Sequence, residues 1–248
     1  MARAYIGTSG FSYPEWRPSF YPSELKPDGF LAYYAAQLPA VEIDRTFYRM
    51  PNGRTLEAWR GAVPDGFKFT LKASQKITHF ERLKLPSEAH DYLAGVLPKL
   101  GDRLGVHFYQ LPPNFRRNDE RLETFLANLP RGIPSAFEFR HESWFDAAVY
   151  RLLERAGVGL VVNEGDEGAT PLEVTAALVY LRLRKERYTE AERDGWLRRI
   201  DGWVREGIDV FAFIKHEAGL LSADLALEFT RGLADLATAG SRPRASSA

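Results

Sequence analysis

The sequence has no cysteine, no excess of charge of either sign and no long hydrophobic run. The missing cysteines exclude disulfides, thiolate nucleophiles and cysteine-ligated metals, and they are compatible with a reducing compartment. The 33 basic and 33 acidic residues cancel, so no global field attracts the protein to nucleic acid or anionic lipid. No apolar run approaches the roughly 20 residues that a membrane helix needs, and residues 1–7 hold no apolar signal core. We therefore expect a cytoplasmic protein with no membrane partner.

Apolar and aromatic residues are plentiful, at 45% and 13% of the 248 residues. They suffice for a sizeable core, and the length suits one large α/β barrel or two smaller domains. Eight segments are predicted to be β-strands, and segments of helical periodicity separate nearly all of them. The predicted strands are residues 4–8, 41–44, 67–72, 104–110, 136–140, 158–163, 178–184 and 210–214.

Several of these strands alternate between apolar and charged residues. In the fifth strand Phe137 and Phe139 share one parity, while Glu138 and Arg140 share the other. A period of two places the two sets on opposite faces of the strand. The phenylalanines suit a face covered by helices, so the charged parity is predicted to point into a closed barrel.

Strands that alternate with helices indicate a parallel sheet with right-handed crossovers. The sequence therefore predicts the α/β class and a single (β/α)8 TIM-like barrel, with a long aromatic loop after strand 1 and a reduced helix after strand 6. The predicted domain spans residues 1–238, and the Ser/Ala/Arg-rich tail 239–248 is predicted to be disordered. The aromatic loop, which holds Trp16, is expected to cover one end of the domain as a pocket wall or as a plug.

Charged residues of the inward parity near the strand ends are candidates for a site, because barrel enzymes carry their active sites at the C-terminal mouth. The acids are Glu42, Asp44 and Glu138, and the bases are Lys72, Arg140, Arg182 and Lys215. We expect Glu42 or Glu138 to act as a general base. The four bases are expected to bind an anion, a task for which arginine forks are suited. A structural network of paired, buried charges is an equally good reading of the same residues.

Loop residues supply the remaining candidates. His79, His141 and His216 follow three different predicted strands, and a histidine titrates near neutrality, so His79 and His141 join the predicted catalytic set. Close-spaced metal motifs are missing, so no metal ligand is predicted and no cofactor is identified. His107 has apolar neighbours and is expected on the outer face of its strand.

Three further residue types are expected around a bound ligand. Ser9 lies in a small, hydroxyl-rich turn of the kind that lets backbone amides approach an anion. Tyr48 and Trp144, together with Trp16, are expected to be apolar or stacking walls.

Many ordered segments resemble the YecE-like family, known as "domain of unknown function seventy-two". The matching segments are residues 7–13 with Trp16, residues 20–22, 41–43 and 46–48 with Pro51, Lys72, residues 77–79, 110–115, 138–140 and 143–144, and residues 180–183. The resemblance covers about residues 5–236. It implies a TIM-barrel-like fold and supplies no established reaction.

The sequence departs from the pattern of that family at three predicted strand ends. Asp44 stands where asparagine is usual, Arg184-Lys185 stands where a His-Gly pair is usual, and residues 214–216 replace a Phe-Asn-Asn ending. These changes predict an altered or more charged site.

Three functions are compatible with these features. The first is an enzyme, a hydrolase or lyase, that acts on a phosphorylated or otherwise anionic small substrate at the barrel mouth. The second is a non-catalytic module that binds a nucleotide or single-stranded nucleic acid, although zero net charge disfavours extended nucleic-acid binding. The third is a degenerate barrel that serves as an interaction scaffold. The sequence does not specify an oligomeric state.

Overall fold

Nine β-strands form one sheet in the computed structural model of the protein, which describes residues 1–215 and 221–240. The strands are β1 (Ala4–Ser9), β2 (Ala40–Ile43), β3 (Lys68–Lys72), β4 (Leu104–Gln110), β5 (Ser135–Glu138), β6 (Gly159–Gly165), β7 (Gly168–Ala169), β8 (Leu178–Leu183) and β9 (Asp209–Ile214). Eight of them are parallel and follow one another around a circle, which closes where β5 pairs with β6. The two-residue β7 pairs antiparallel with β6 and lies outside this circle. The closed eight-stranded parallel barrel that the sequence predicts is confirmed.

Helices connect the strands and surround the barrel. They are α1 (Phe30–Gln37), α2 (Gly53–Gly61), α3 (Glu88–Val96), α4 (Asp119–Ala127), α5 (Ala147–Ala156), α6 (Glu190–Arg205) and α7 (Leu221–Gly240). Between β6 and β8, residues 166–177 contain β7 and coil and no helix, as the predicted reduction after strand 6 requires. Asn52, Ser87, Asn118, Asp146 and Thr189 cap helices by accepting a hydrogen bond from a backbone N–H in the first turn.

Two apolar clusters fill the two sides of the barrel wall. The outer cluster packs one parity of the strands, including Phe137 and Phe139, against the helices. The inner cluster includes Phe108, Tyr180 and Phe213 and fills the lower barrel interior. Polar residues of the same inward parity lie above it, toward the C-terminal ends of the strands. The predicted division between a helix-covered apolar face and an inward charged face is therefore confirmed.

The loop between β1 and α1 forms a buried aromatic plug. Trp16 and Tyr21 are fully buried, and the ring of Tyr21 stacks on Phe30 at 4.1 Å between centroids. The loop was expected to be a pocket wall or a plug. Trp16 belongs to a plug, because its ring packs against Phe20 and Tyr21 and has no exposed surface.

Parts of the predicted tail and one candidate histidine are not described. The last helix extends to Gly240, so residues 241–248 of the tail, and also His216, lie outside the described residues. Within the part of the chain that is described, no helix combines the length and apolarity needed to cross a bilayer.

Candidate functional site

A charged network closes the barrel interior at its C-terminal end, with Arg182 of β8 at its centre. One terminal nitrogen of Arg182, Nη2, donates to Glu42 Oε1 at 2.6 Å, and the other, Nη1, donates to Glu138 Oε2 at 2.8 Å. All three side chains are at most 1% exposed. Its guanidinium also lies over the ring of Phe108, 4.7 Å from the centroid. Glu42, Glu138 and Arg182 form a buried ion triad. Because β2, β5 and β8 each supply one member, the triad can form only when the barrel is closed.

Neighbouring strands complete the hydrogen bonds of both glutamates. Glu42 accepts from the hydroxyls of Ser9 and Tyr180, at 2.7 Å and 2.5 Å. Glu138 accepts from Gln110 Nε2 at 2.8 Å and from Arg140 Nε at 3.1 Å. Burial alone would raise the pKa of Glu138, but Arg182, Arg184 and Arg140 outweigh it and hold that pKa at about 2. The same balance between burial and Arg182 lowers the pKa of Glu42.

Asp44 connects this buried network to solvent. Its Oδ1 lies 3.4 Å from Arg182 Nη2 and 3.7 Å from Lys72 Nζ, and its side chain is 40% exposed. Burial of the carboxyl raises the pKa of Asp44, and the nearby Glu42 charge raises it further. Asp44 is thus an accessible carboxyl at the mouth with a pKa shifted toward neutrality.

Lys72 lies beside Asp44, and Lys72 and His79 share Phe47 as a packing partner. Lys72 Nζ is 4.4 Å from the centroid of the Phe47 ring, and the His79 ring meets the same ring at 4.9 Å. Burial lowers the pKa of Lys72. Burial, and then the charges of Lys72 and Arg140, lower the pKa of His79, so its imidazole is neutral at neutral pH. His79 Nδ1 lies 2.9 Å from Thr78 Oγ1, a contact that orients the ring.

More cations follow β8 and β9. Burial and the charge of Arg182 lower the pKa of Arg184, and Arg184 Nε is buried with no hydrogen-bond partner among the described residues. Burial, Arg184, Arg182 and Arg140 lower the pKa of Lys215. Arg184 and Lys215 therefore both lie near Arg182, and Lys215 also lies near Arg184 and Arg140.

Tyr48 lies next to Phe47 and is 75% exposed. The other predicted site residues that the structure brings together at the mouth are Ser9, Glu42, Lys72, His79, Glu138, Arg140, Arg182 and Lys215. Sequence reasoning did not assign site roles to Gln110, Tyr180 and Phe47. Gln110 and Tyr180 share the inward parity of their strands, so alternation could have identified them. Phe47 lies in a short 3-10 helix, where no alternation indicates the direction of its side chain. Arg184 was noted as a departure and not as a ligand residue.

One predicted wall residue, Trp144, does not face the mouth. Trp144 is fully buried, stacks on Phe139 at 4.7 Å and donates from Nε1 to Phe115 O, so it belongs to the outer core. His141 accepts from Ser143 N through Nδ1 and thereby caps a short helix, and its Nε2 lies 3.3 Å from Arg116. Trp144 lies in a loop and lacks the parity that orients strand residues, and its packing against Phe139 and Phe115 places it behind β5.

His107 lies on the outer face of β4, as expected, and is 1% exposed. Its Nδ1 is 2.8 Å from the Tyr109 hydroxyl, and burial lowers the pKa of His107 to about 3. It is a neutral core residue. Across residues 1–215 and 221–240, no group of three or more His, Asp or Glu side chains is arranged to hold a metal ion.

Comparisons with known proteins agree on one family. The family model described as "Protein of unknown function DUF72" matches residues 5–247. The UPF0759 protein YunF of Bacillus subtilis (strain 168) is 25% identical over 279 residues, covering 97% of this chain and 98% of that protein. The crystal structure of a DUF72 family protein from Thermotoga maritima MSB8 is 26% identical, covers 94% of this chain and 99% of its own, and superposes with a TM-score of 0.79. A DUF72 family protein from Enterococcus faecalis V583, at 19% identity and a TM-score of 0.71, covers 94% and 98% and shares the fold.

Proposed function

The chain belongs to the DUF72 family of proteins of unknown function, and from that premise we propose that its barrel mouth binds a small phosphate ester and performs acid–base chemistry on it. The observation that carries the proposal is an excess of positive charge at the mouth. Among the described residues, the three carboxylates Glu42, Asp44 and Glu138 meet five cationic side chains there, namely Lys72, Arg140, Arg182, Arg184 and Lys215.

Arg182 pairs with Glu42 and Glu138, and Lys72 pairs with Asp44, so Arg140 and Arg184 are the cations whose donors best suit a ligand. The Arg140 side chain is 40% exposed, and among the described residues its only ion pair is from Nε to Glu138, so its terminal nitrogens can face a ligand. Arg184 has no carboxylate within ion-pair distance among the described residues. Guanidinium groups bind phosphate oxygens through two parallel N–H bonds, and a lysine adds a point charge. Burial is the main cause of the lowered pKa of Arg184 and of Lys215, and neighbouring arginines lower both further; a dianionic ligand would offset that second contribution.

Asp44 and His79 suit the acid–base roles better than Glu42 and Glu138 do. The two glutamates are buried and saturated with donors, and a pKa of about 2 makes Glu138 a weak base. Asp44 is half-buried and reaches solvent, and the burial raises its pKa. His79 is neutral, so it can accept a proton. We therefore assign proton transfer to Asp44 and His79, and we assign the positioning of Arg182 to Glu42 and Glu138.

The proposal is tested by isothermal titration with methyl phosphate and phenyl phosphate on the intact chain and on Arg140→Ala. Loss of a charged hydrogen-bond donor should weaken binding by at least about tenfold, while the unliganded melting temperature changes little, because Glu138 keeps Arg182 and Gln110. Arg155→Ala is the matched control. Arg155 lies at the C-terminal end of α5, pairs with Glu123 at 3.3 Å and is 63% exposed, so phosphate binding should be unchanged.

Turnover separates the enzyme from its alternatives. Hydrolysis or elimination of a phosphate ester that is lost in His79→Gln, with binding retained, would support the enzyme. Binding without turnover across a panel of esters would favour the non-catalytic module. No binding of any phosphate, with the fold intact, would overturn the proposal and favour the scaffold.

A further inference from the structure

A cavity of about 690 Å³ lies beside the mouth, between the loop after β1, the loop after β2 and helix α2. Its volume falls within the range of about 300–1,000 Å³ that small-molecule sites occupy. We call it the side pocket. The mouth functions proposed above do not use it, apart from one shared wall.

That shared wall is Asp44, which lines the side pocket and also contacts Lys72 and Arg182. A second connection runs through Tyr13, another lining residue. The Tyr13 hydroxyl donates to Ser9 O at 2.6 Å, and Ser9 in turn donates to Glu42. The side pocket and the charged mouth are therefore adjacent, and Asp44 belongs to both.

The lining of the side pocket is largely apolar and aromatic. Phe11, Leu31, Met50 and Trp59 contribute to it. The Trp59 ring is fixed from behind, because it stacks on Phe69 of β3 at 5.7 Å. Surfaces of this kind bind the flat or branched apolar part of a ligand, and the cations of the mouth would bind its charged group.

The walls of the side pocket are fixed by the fold. Gly10 has φ of +94°, and a Cβ there would lie 2.4 Å from the Tyr13 hydroxyl, so glycine permits the loop to fold back on Tyr13. On the other wall, Thr46 Oγ1 donates to Ile43 O and Lys72 O at 2.8 and 2.7 Å. A pocket held in this way needs little ordering when a ligand enters.

We propose that the side pocket binds the apolar, ring-sized body of a phosphate ester whose phosphate lies on the cations of the mouth. The inference rests on the proposed function and narrows it to aryl or similarly bulky phosphate monoesters. Arg45 and Arg49 also line the pocket and are exposed, with no ion pair to any described residue, so a body that carries acceptor oxygens fits better than a cationic one.

The test compares methyl phosphate with phenyl phosphate, which share the phosphate group and differ in the body. Phenyl phosphate should bind at least about tenfold more tightly to the intact chain, from the ring area removed from water. Ala58→Trp fills the pocket from α2 and should reduce phenyl phosphate binding to the level of methyl phosphate. Methyl phosphate binding should be unchanged. Ala62→Trp, from the same wall, should act in the same direction.

Ala127→Trp is the matched control. Ala127 is an exposed helix residue like Ala58, but it lines a separate cavity at the opposite end of the barrel, so neither affinity should change. Equal affinities for the two esters on the intact chain would overturn this inference and leave the mouth proposal standing. Binding of neither ester would overturn the mouth proposal itself.

Discussion

Arg182 is the residue on which the order of the barrel mouth depends, since it is the shared cation of two buried glutamates. Its partners come from β2 and β5, so the triad spans the interior and fixes three strands relative to one another. Removing one member of such a buried set is costly, because the others remain charged and without a partner. The triad therefore stabilises the mouth most strongly where the glutamates are ionised.

Arg182→Met should lower the free energy of unfolding by about 3–5 kcal/mol at pH 7. In the intact chain the pKa of Glu138 is held at about 2 in the folded state, below the ordinary value of 4.5. Its contribution to stability is therefore present above about pH 4.5 and is lost as the pH falls toward 2. Without Arg182 the buried glutamates become easier to protonate. The cost of the substitution should therefore shrink between pH 7 and pH 4, as measured by urea unfolding.

Arg155→Met provides the comparison, because its exposed pair with Glu123 should contribute less than about 1 kcal/mol at either pH. A variant of Arg182 that folds at pH 4 and not at pH 7 would agree with the prediction. An equal loss at both pH values would mean that packing over Phe108, rather than charge pairing, is what Arg182 supplies.

At the residue scale, strand parity carried most of the predictable information about the site. Glu42, Lys72, Glu138 and Arg182 follow from alternation, because a strand fixes the direction of every second side chain. Parity does not reveal which charges neutralise one another. The saturation of Glu138 by three donors, which removes it as a base, depends on distances between strands far apart in sequence.

At the scale of elements, the close approach of β1 and β2 requires a residue without a side chain. Gly7 pairs with Ala40, and a Cβ on Gly7 would lie 2.0 Å from the Ala40 carbonyl oxygen. A contact of this length has to be relieved by moving one strand. Ser9 and Glu42 lie two residues further along the same two strands, so movement here would reach the mouth.

Gly7→Ala should therefore destabilise the fold by about 2 kcal/mol or more. Gly95→Ala is the paired control, since Gly95 is an exposed residue of α3 and a Cβ there meets nothing within 4 Å. It should stabilise the chain by about 0.5 kcal/mol through helix propensity. Chemical denaturation of the two variants measures the expected loss of stability in Gly7→Ala and the expected gain in Gly95→Ala. A neutral Gly7→Ala would show that β1 and β2 can separate without cost.

The elements themselves were largely predictable, and their exceptions have physical reasons. Alternation and helical periodicity located all eight barrel strands, because each buries one face against helices. The residues between β6 and β8 carry no helical periodicity, and there the chain forms the short β7 instead. The direction of Trp144 was not predictable, since a 3-10 turn after β5 rotates it behind the sheet.

At the scale of the whole molecule, charge is balanced in number and uneven in position. The 33 basic and 33 acidic residues cancel, yet the mouth gathers more cations than carboxylates. A distant anion therefore experiences little attraction, whereas one at the mouth meets several donors at once. The absence of a global field also separates the small-ligand proposal from binding of extended nucleic acid, which relies on many distributed phosphate contacts.

Raising the salt concentration from 50 to 200 mM should weaken phenyl phosphate binding by less than about tenfold, because one phosphate displaces few ions. A single-stranded oligonucleotide held by six or more phosphate contacts would lose at least about 300-fold over the same range. Titrations at both salt concentrations, with sodium chloride as the added salt and pH constant, measure the two slopes. A steep slope for an oligonucleotide together with no binding of phenyl phosphate would contradict the small-ligand site. The cations of the mouth would then be the centre of a longer contact surface.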